Sequence, residues 1–161
     1  MNATDIELAV ARHFNFRANV IVPNVWWGIY GLNHEADVVV LRQSGFAAEV
    51  EIKISRADIK KDLSKTHKHK SNLFRELWFA VPDDLAQDQN IPEHAGILTV
   101  TAKGTYFKVK KERSPKINKF AIRWPETSKA KLLHLGVMRI WGLKSNLMAQ
   151  KQRLRKKGAV K

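Results

Sequence analysis

Glu51 and Lys53 flank Ile52 in the run Ala48-Glu49-Val50-Glu51-Ile52-Lys53-Ile54, and fourteen residues before Glu51 stands Asp37, at the head of Val38-Val39-Val40-Leu41. Both runs read as strands. Residues two apart on a strand share a face, so Val50, Ile52 and Ile54 point one way and Glu49, Glu51 and Lys53 the other. A charged row behind such an apolar row requires solvent, ionic partners or a metal. Paired as neighbours, the two strands set Asp37 beside Glu51. Two carboxylates and a lysine are what metal-dependent phosphodiester hydrolysis needs. Carboxylates anchor one or two Mg²⁺ ions that activate water and clamp oxygens, and an ammonium orients the hydroxide or offsets transition-state charge.

Mg²⁺ binds oxygen and keeps several waters, so two carboxylates suffice as anchors. Asp37 and Glu51 fill that role, with the backbone carbonyl of Ile52 within reach of the same ion, and Mn²⁺ is the expected substitute. Lys53 lies roughly 6.6 Å further along the same face, two residues of strand rise. The competing reading is a solvated face carrying cross-strand ion pairs.

The elements that must position these residues follow from periodicity. Thr4-Asp5-Ile6-Glu7 has capping-box spacing, and Ile6, Val10 and Phe14 repeat at helical intervals, giving a first helix over about residues 5–14. A strand spans Asn19 to Val22, its end weakened by Pro23. Trp26-Trp27-Gly28-Ile29-Tyr30-Gly31 is an aromatic, glycine-punctuated connection. Asp37 to Leu41 and Phe46 to Ile54 form an antiparallel hairpin around Gln43-Ser44-Gly45. Ser55 caps the next helix, with Asp58 favouring its N-terminus. Leu77 to Val81, closed by Pro82, fits a buried central strand. Gly96 to Thr101 and Thr105 to Lys110 make a second hairpin, residues 111–127 read as loop, and Ser128 to Leu154 as a long helix.

The chain of 161 residues fits one domain, residues 1–150, with a basic tail over 151–161 that holds six Lys or Arg and no acid. With 44% hydrophobic residues it buries a real core. It has no cysteine, which excludes a disulfide framework and a thiolate zinc site. No signal-peptide pattern opens the chain and no window reaches about 18 apolar residues, so a cytoplasmic, nucleoid-associated protein without membrane contact is expected. The formal charge of +14 is lopsided. Residues 1–50 carry three Arg against five acids, whereas residues 51–161 carry 26 Lys and Arg against ten acids. That asymmetry points to a polyanion, nucleic acid first; a merely soluble basic protein is the alternative.

Four segments occur in a telling order: Ala36-Asp37-Val38-Val39-Val40-Leu41, Val50-Glu51-Ile52-Lys53-Ile54-Ser55-Arg56-Ala57-Asp58, Phe79-Ala80-Val81-Pro82 and Pro92-Glu93-His94-Ala95-Gly96-Ile97-Leu98. In this the chain resembles the PD-(D/E)xK nuclease superfamily, and most of all its MmcB-type DNA-repair endonucleases. Ala36-Asp37 stands where the family has Pro-Asp, which leaves the ligand intact. The likeness covers residues 36–100 well, the final helix loosely and the first 35 residues poorly. It implies an α/β fold with a restriction-endonuclease-like αβββαβ core, a mixed sheet, an extra hairpin and a C-terminal helix. It also implies Mg²⁺-dependent DNA cleavage in repair or in phage and mobile-element processing. Asp37 and Glu51 become metal ligands and Lys53 the catalytic lysine. Some members add a glutamate from the first helix, which makes Glu7 a candidate ligand; its other reading is the capping-box partner of Thr4. Glu49 shares the site face as a supporting or alternate ligand. Enzymes of this kind that cut both strands often pair, so a homodimer is a possible state.

Arg56, Lys60, Lys61, Lys65, Lys68, His69 and Lys70 follow the catalytic strand directly and would grip flanking DNA phosphates; a solvated basic helix face is the alternative. His67 and His69 alternate with lysines, which favours phosphate hydrogen bonding over metal binding. Trp26, Trp27 and Tyr30 could stack on unpaired bases, or pack in the core or a dimer interface. A non-catalytic DNA- or RNA-binding protein retaining the fold is the runner-up.

Overall fold

The computed structural model describes residues 1–63 and 71–158. Lys65, Lys68, His69 and Lys70, with His67, lie outside them. Helix α1 (Ala3–His13) leads into strands β1 (Val20–Val25), β2 (Ala36–Leu41) and β3 (Ala47–Ile52). Helix α2 (Arg56–Leu63) connects to β4 (Phe74–Pro82), followed by β5 (Gly96–Lys103), β6 (Tyr106–Arg113) and helix α3 (Glu126–Gly158). The six strands form one mixed sheet in sequence order. β2 runs antiparallel to both its neighbours, β1 and β3, β4 runs parallel to both β3 and β5, and β6 returns antiparallel to β5. The protein is therefore an α/β chain with a mixed sheet, a closing hairpin and a C-terminal helix.

The β2–β3 hairpin turns where expected. Arg42 N donates to Phe46 O and Gly45 N to Arg42 O, both at 2.9 Å, with Gly45 at φ 82°. A three-residue loop of this type needs a left-handed residue in that place, which glycine supplies at no steric cost. Leu77 to Val81 are all buried, as a central parallel strand covered on both faces must be.

One face of the sheet is covered by α1. Ile6, Ala9 and Val10 occupy one helical stripe and pack with Val38, Val40, Ala48, Val50, Trp78, Ala80, Leu98 and Val100. The opposite face carries two separate apolar clusters. One gathers Val39, Leu41 and Ala47 with Trp124, just before α3, and with Leu132 and Leu135 in its first turns. The other gathers Leu77, Phe79, Val81 and Ile97 with Ile59 of α2. Glu49 pairs in register with Val39 on one side and Leu77 on the other, so the charged row runs between the two clusters.

Four boundaries differ from expectation. α1 is capped two residues earlier: Asn2 accepts from Asp5 N at 2.9 Å and Asp5 accepts from Asn2 N at 2.8 Å. Asn and Asp cap as well as the Thr4–Glu7 pair would. β1 continues through Pro23, which an edge strand tolerates because no neighbour needs its missing N–H. β6 extends to Arg113, into the expected loop. α3 continues to Gly158, so the division drawn after residue 150 falls inside a helix that nothing interrupts.

Candidate metal centre

β2 and β3 pair as far as Val38 opposite Val50, a register that sets Asp37 opposite Glu51. There the backbone ladder stops. Asp37 Oδ2 accepts the Ile52 N–H at 2.7 Å, a side chain doing what a strand carbonyl would have done. On its other edge β3 stays paired, with Lys53 N donating to Ala80 O at 3.1 Å. The strands thus part at the carboxylates while β4 holds the segment in place. The contact of Ile52 to this centre runs through its amide nitrogen.

Lys53 reaches back over the gap. Its ammonium donates to Glu51 Oε2 and lies 3.8 Å from Asp37 Oδ2. The Phe79 ring centroid is 5.9 Å away. Glu49 and Glu51 are fully buried and Lys53 nearly so, which excludes the solvated-face reading of this row. Ile54, expected on the apolar face, lies past the end of β3 and is exposed. Burial, the nearby Asp37 carboxylate and Glu49 all push the Glu51 carboxyl above the ordinary carboxylate range, against the pull of Lys53. Two buried acids and the partly exposed Asp37 crowd a place that a cation would relieve.

Glu7 belongs to the same field. The Asn2–Asp5 box leaves it out of the helix cap, and burial together with the Asp37 charge raises its carboxyl pKa. Glu7 is half-buried on α1 and feels Asp37 from there.

His34, from the loop before β2, is a member that the sequence did not single out. Its Nε2 meets Glu49 Oε1, and one ligand atom from each of His34, Glu49 and Glu51 lies within 4.8 Å of the others. Strand alternation cannot find it because it lies outside any strand. Its sole sequence signal is a place three residues before Asp37. Beside Glu49 opens a cavity of about 360 Å³ whose lining includes Arg75, His94, Lys116 and Asn118. Arg75 stacks on Phe46, 4.4 Å from the ring centroid.

The fold is shared with a solved protein. It is a protein of unknown function from Silicibacter pomeroyi, with a TM-score of 0.64, 22% identity and 94% of each chain covered. At that identity the likeness speaks for architecture alone. No protein-family model and no curated protein matches the chain.

The expected DNA contacts fare unevenly. Arg56, Lys60 and Lys61 are exposed on α2. Ser55 caps that helix as expected: its Oγ accepts from Asp58 N at 3.2 Å and donates to Asp58 Oδ2 at 2.9 Å. Arg56 and Lys60 line an open cavity of about 460 Å³ together with Asp84 and Asp88, so acids share their surface. Trp26 and Tyr30 are exposed, which excludes core packing; in that connection Ile29 is the buried residue. Trp27 lies under Lys131 of α3, with the ammonium 4.2 Å from its ring centroid. Among the described residues, no helix is long and apolar enough to cross a membrane.

Proposed function

We propose that this chain is a metal-dependent endonuclease of the PD-(D/E)xK type, built on a restriction-endonuclease-like core and hydrolysing DNA phosphodiester bonds. The observation that carries this is the convergence of Asp37, Glu51 and Lys53 where β2 and β3 part. The donor set suits Mg²⁺ or Mn²⁺, since hard carboxylate oxygens from two strands face one another across a gap. When bound, the cation supplies charge neutralisation and lowers the pKa of water. Asp37 and Glu51 would hold it, and Glu7 adds negative potential from α1. Lys53, placed between Glu51 and Asp37, would donate to an oxygen of the scissile phosphate and offset the charge gained in the transition state. Hydrolysis forms a bond from a water oxygen to phosphorus and breaks a phosphorus–oxygen ester bond, the water proton passing to the departing oxygen.

Plasmid, single-stranded and branched DNA incubated with the protein in Mg²⁺ or Mn²⁺ tests the assignment. Cleavage that is abolished by chelation, by Asp37→Ala and by Lys53→Ala is the expected result. Metal-independent cutting, or cutting that survives both substitutions, rejects it.

A second reading rests on α3. Residues 127–158 contain no acid, and most of the helix after Leu135 is exposed. Such a surface alone supports salt-sensitive DNA or RNA binding without turnover. Retention on DNA that falls with salt, with no cleavage under any divalent ion, selects that alternative.

A further inference from the structure

Asp37 and Glu51 leave part of the polar row unaccounted for. Glu49, two residues before Glu51 on β3, lies at the boundary between two apolar clusters and is fully buried. Facing it is the His34 imidazole, whose side chain is 6% exposed against 1% for Glu49. A buried imidazole set against a buried carboxylate puts a nitrogen and an oxygen donor in one place, the pairing a divalent metal takes.

The ring's other nitrogen indicates which atom is on offer. His34 Nδ1 lies 3.1 Å from Asn33 Oδ1. An amide oxygen only accepts, so the tautomer that satisfies this contact donates from Nδ1 and turns Nε2 to Glu49. A neutral Nε2 presents a lone pair, and two lone pairs in hydrogen-bond contact repel. The contact is stable when a second proton or a cation lies between. Ligating histidines are held in the same manner, by a hydrogen bond from the nitrogen that does not bind metal. Glu51 completes the set, with its ligand atom within 4.8 Å of the other two.

We propose that His34, Glu49 and Glu51 form a second divalent-cation site, sharing Glu51 with Asp37, and that its imidazole selects a transition-metal ion over Mg²⁺. Mg²⁺ takes oxygen ligands almost exclusively, whereas imidazole nitrogen favours first-row transition metals. The oxygen pair of Asp37 and Glu51 accepts either class; the nitrogen-containing set discriminates. The inference deepens the nuclease reading and rests on it only for the sharing of Glu51.

Mn²⁺ titration followed by electron paramagnetic resonance tests this without any cleavage assay. The wild-type chain is expected to bind two Mn²⁺, one with imidazole ¹⁴N coupling, and a large Mg²⁺ excess displaces only the other. His34→Gln can still hydrogen bond to Glu49 but lacks the imidazole; it is expected to bind one Mn²⁺ with no ¹⁴N coupling. Asp37→Asn is expected to keep the ¹⁴N-coupled ion and lose the other. Circular dichroism verifies that both variants fold. Two ions in His34→Gln, or a wild-type chain whose bound Mn²⁺ shows no ¹⁴N coupling, overturns the second site and leaves the nuclease reading standing. A ¹⁴N-coupled ion alone, unaffected by Asp37→Asn, upholds the second site and defeats the Asp37–Glu51 centre. Absence of any bound Mn²⁺ defeats both.

Discussion

The Asp37 carboxylate accepts the Ile52 amide at 2.7 Å, so one side chain both ends the β2–β3 ladder and faces Glu51 across the opening it creates. The two roles separate by substitution. Asp37→Asn keeps an oxygen that can accept from Ile52 and loses the charge; Asp37→Ala loses both. Urea unfolding is expected to place Asp37→Asn near the wild type and Asp37→Ala about 1–3 kcal/mol lower, the cost of an unsatisfied amide. Plasmid nicking is expected to fall at least about a hundredfold in both. Equal stability of the two variants would remove Asp37 from the backbone role.

Lys53 holds the acids together in the absence of metal. Its replacement by Met keeps the volume and strips the charge, leaving Glu51 buried beside Asp37 and Glu49. Removing one member of a buried pair typically costs about 3–5 kcal/mol. Denaturant unfolding in chelator is expected to show a loss of that size, part of it recovered with Mg²⁺ or Mn²⁺ because the ion supplies the missing positive charge. A variant as stable as wild type in chelator contradicts this.

Glu51 predicts the reverse. Its carboxyl is raised above its ordinary 4.5, chiefly by burial and by Asp37. A carboxyl held high in the folded state weakens folding as pH climbs from the ordinary value through the raised one, and costs nothing below both. Because Lys53 keeps Asp37 as an ionic partner at 3.8 Å, Glu51→Gln is expected to melt above the wild type in chelator at pH 8, with the gap closing towards pH 4.5, and to lose the rise in Tm expected of the native chain with divalent ions. A melting curve unchanged by the substitution at pH 8 goes against the crowding of charge at this place.

Two glycines separate conformational from steric demands. A Cβ on Gly96 would stand 2.5 Å from Trp78 Cε3 and 2.9 Å from Pro115 Cδ, in the β4–β5 ladder. Gly96→Ala is expected to destabilise by about 1–3 kcal/mol, the usual cost of overpacking. Gly45 has only ordinary contacts, the nearest at 3.7 Å, but its φ of 82° strains any side chain. Gly45→Ala is expected to cost about 1–2 kcal/mol, and Gly45→Asn less, since Asn tolerates that region. Thermal melts of the three variants check the ranking.

Much of this arrangement is legible in local pattern. Alternation along Ala48 to Lys53 separates the buried acids from Val50, and Leu77 to Val81 announces a covered strand. The Ser55–Asp58 cap is written in four residues. What local pattern cannot reach is contact across the sheet. His34 lies in a loop without periodicity, and only the hairpin that follows carries it to Glu49. The α1 cap escapes because Asn2–Asp5 and Thr4–Glu7 offer two equivalent starts, and spacing alone does not choose between them. The end of α3 escapes because no proline or glycine marks one between Lys144 and Gly158.

The turn at Gly45 makes the meeting of Asp37, Glu51 and Lys53 an all-or-none outcome. A hairpin slipped by a single residue would exchange the two faces of β3, thrusting Val50 and Ile52 among the polar groups and driving three charges beneath α1. Such a chain would be unstable and would have lost the polar cluster. The few turn residues that align the strands therefore also decide whether the two carboxylates and the ammonium meet at all.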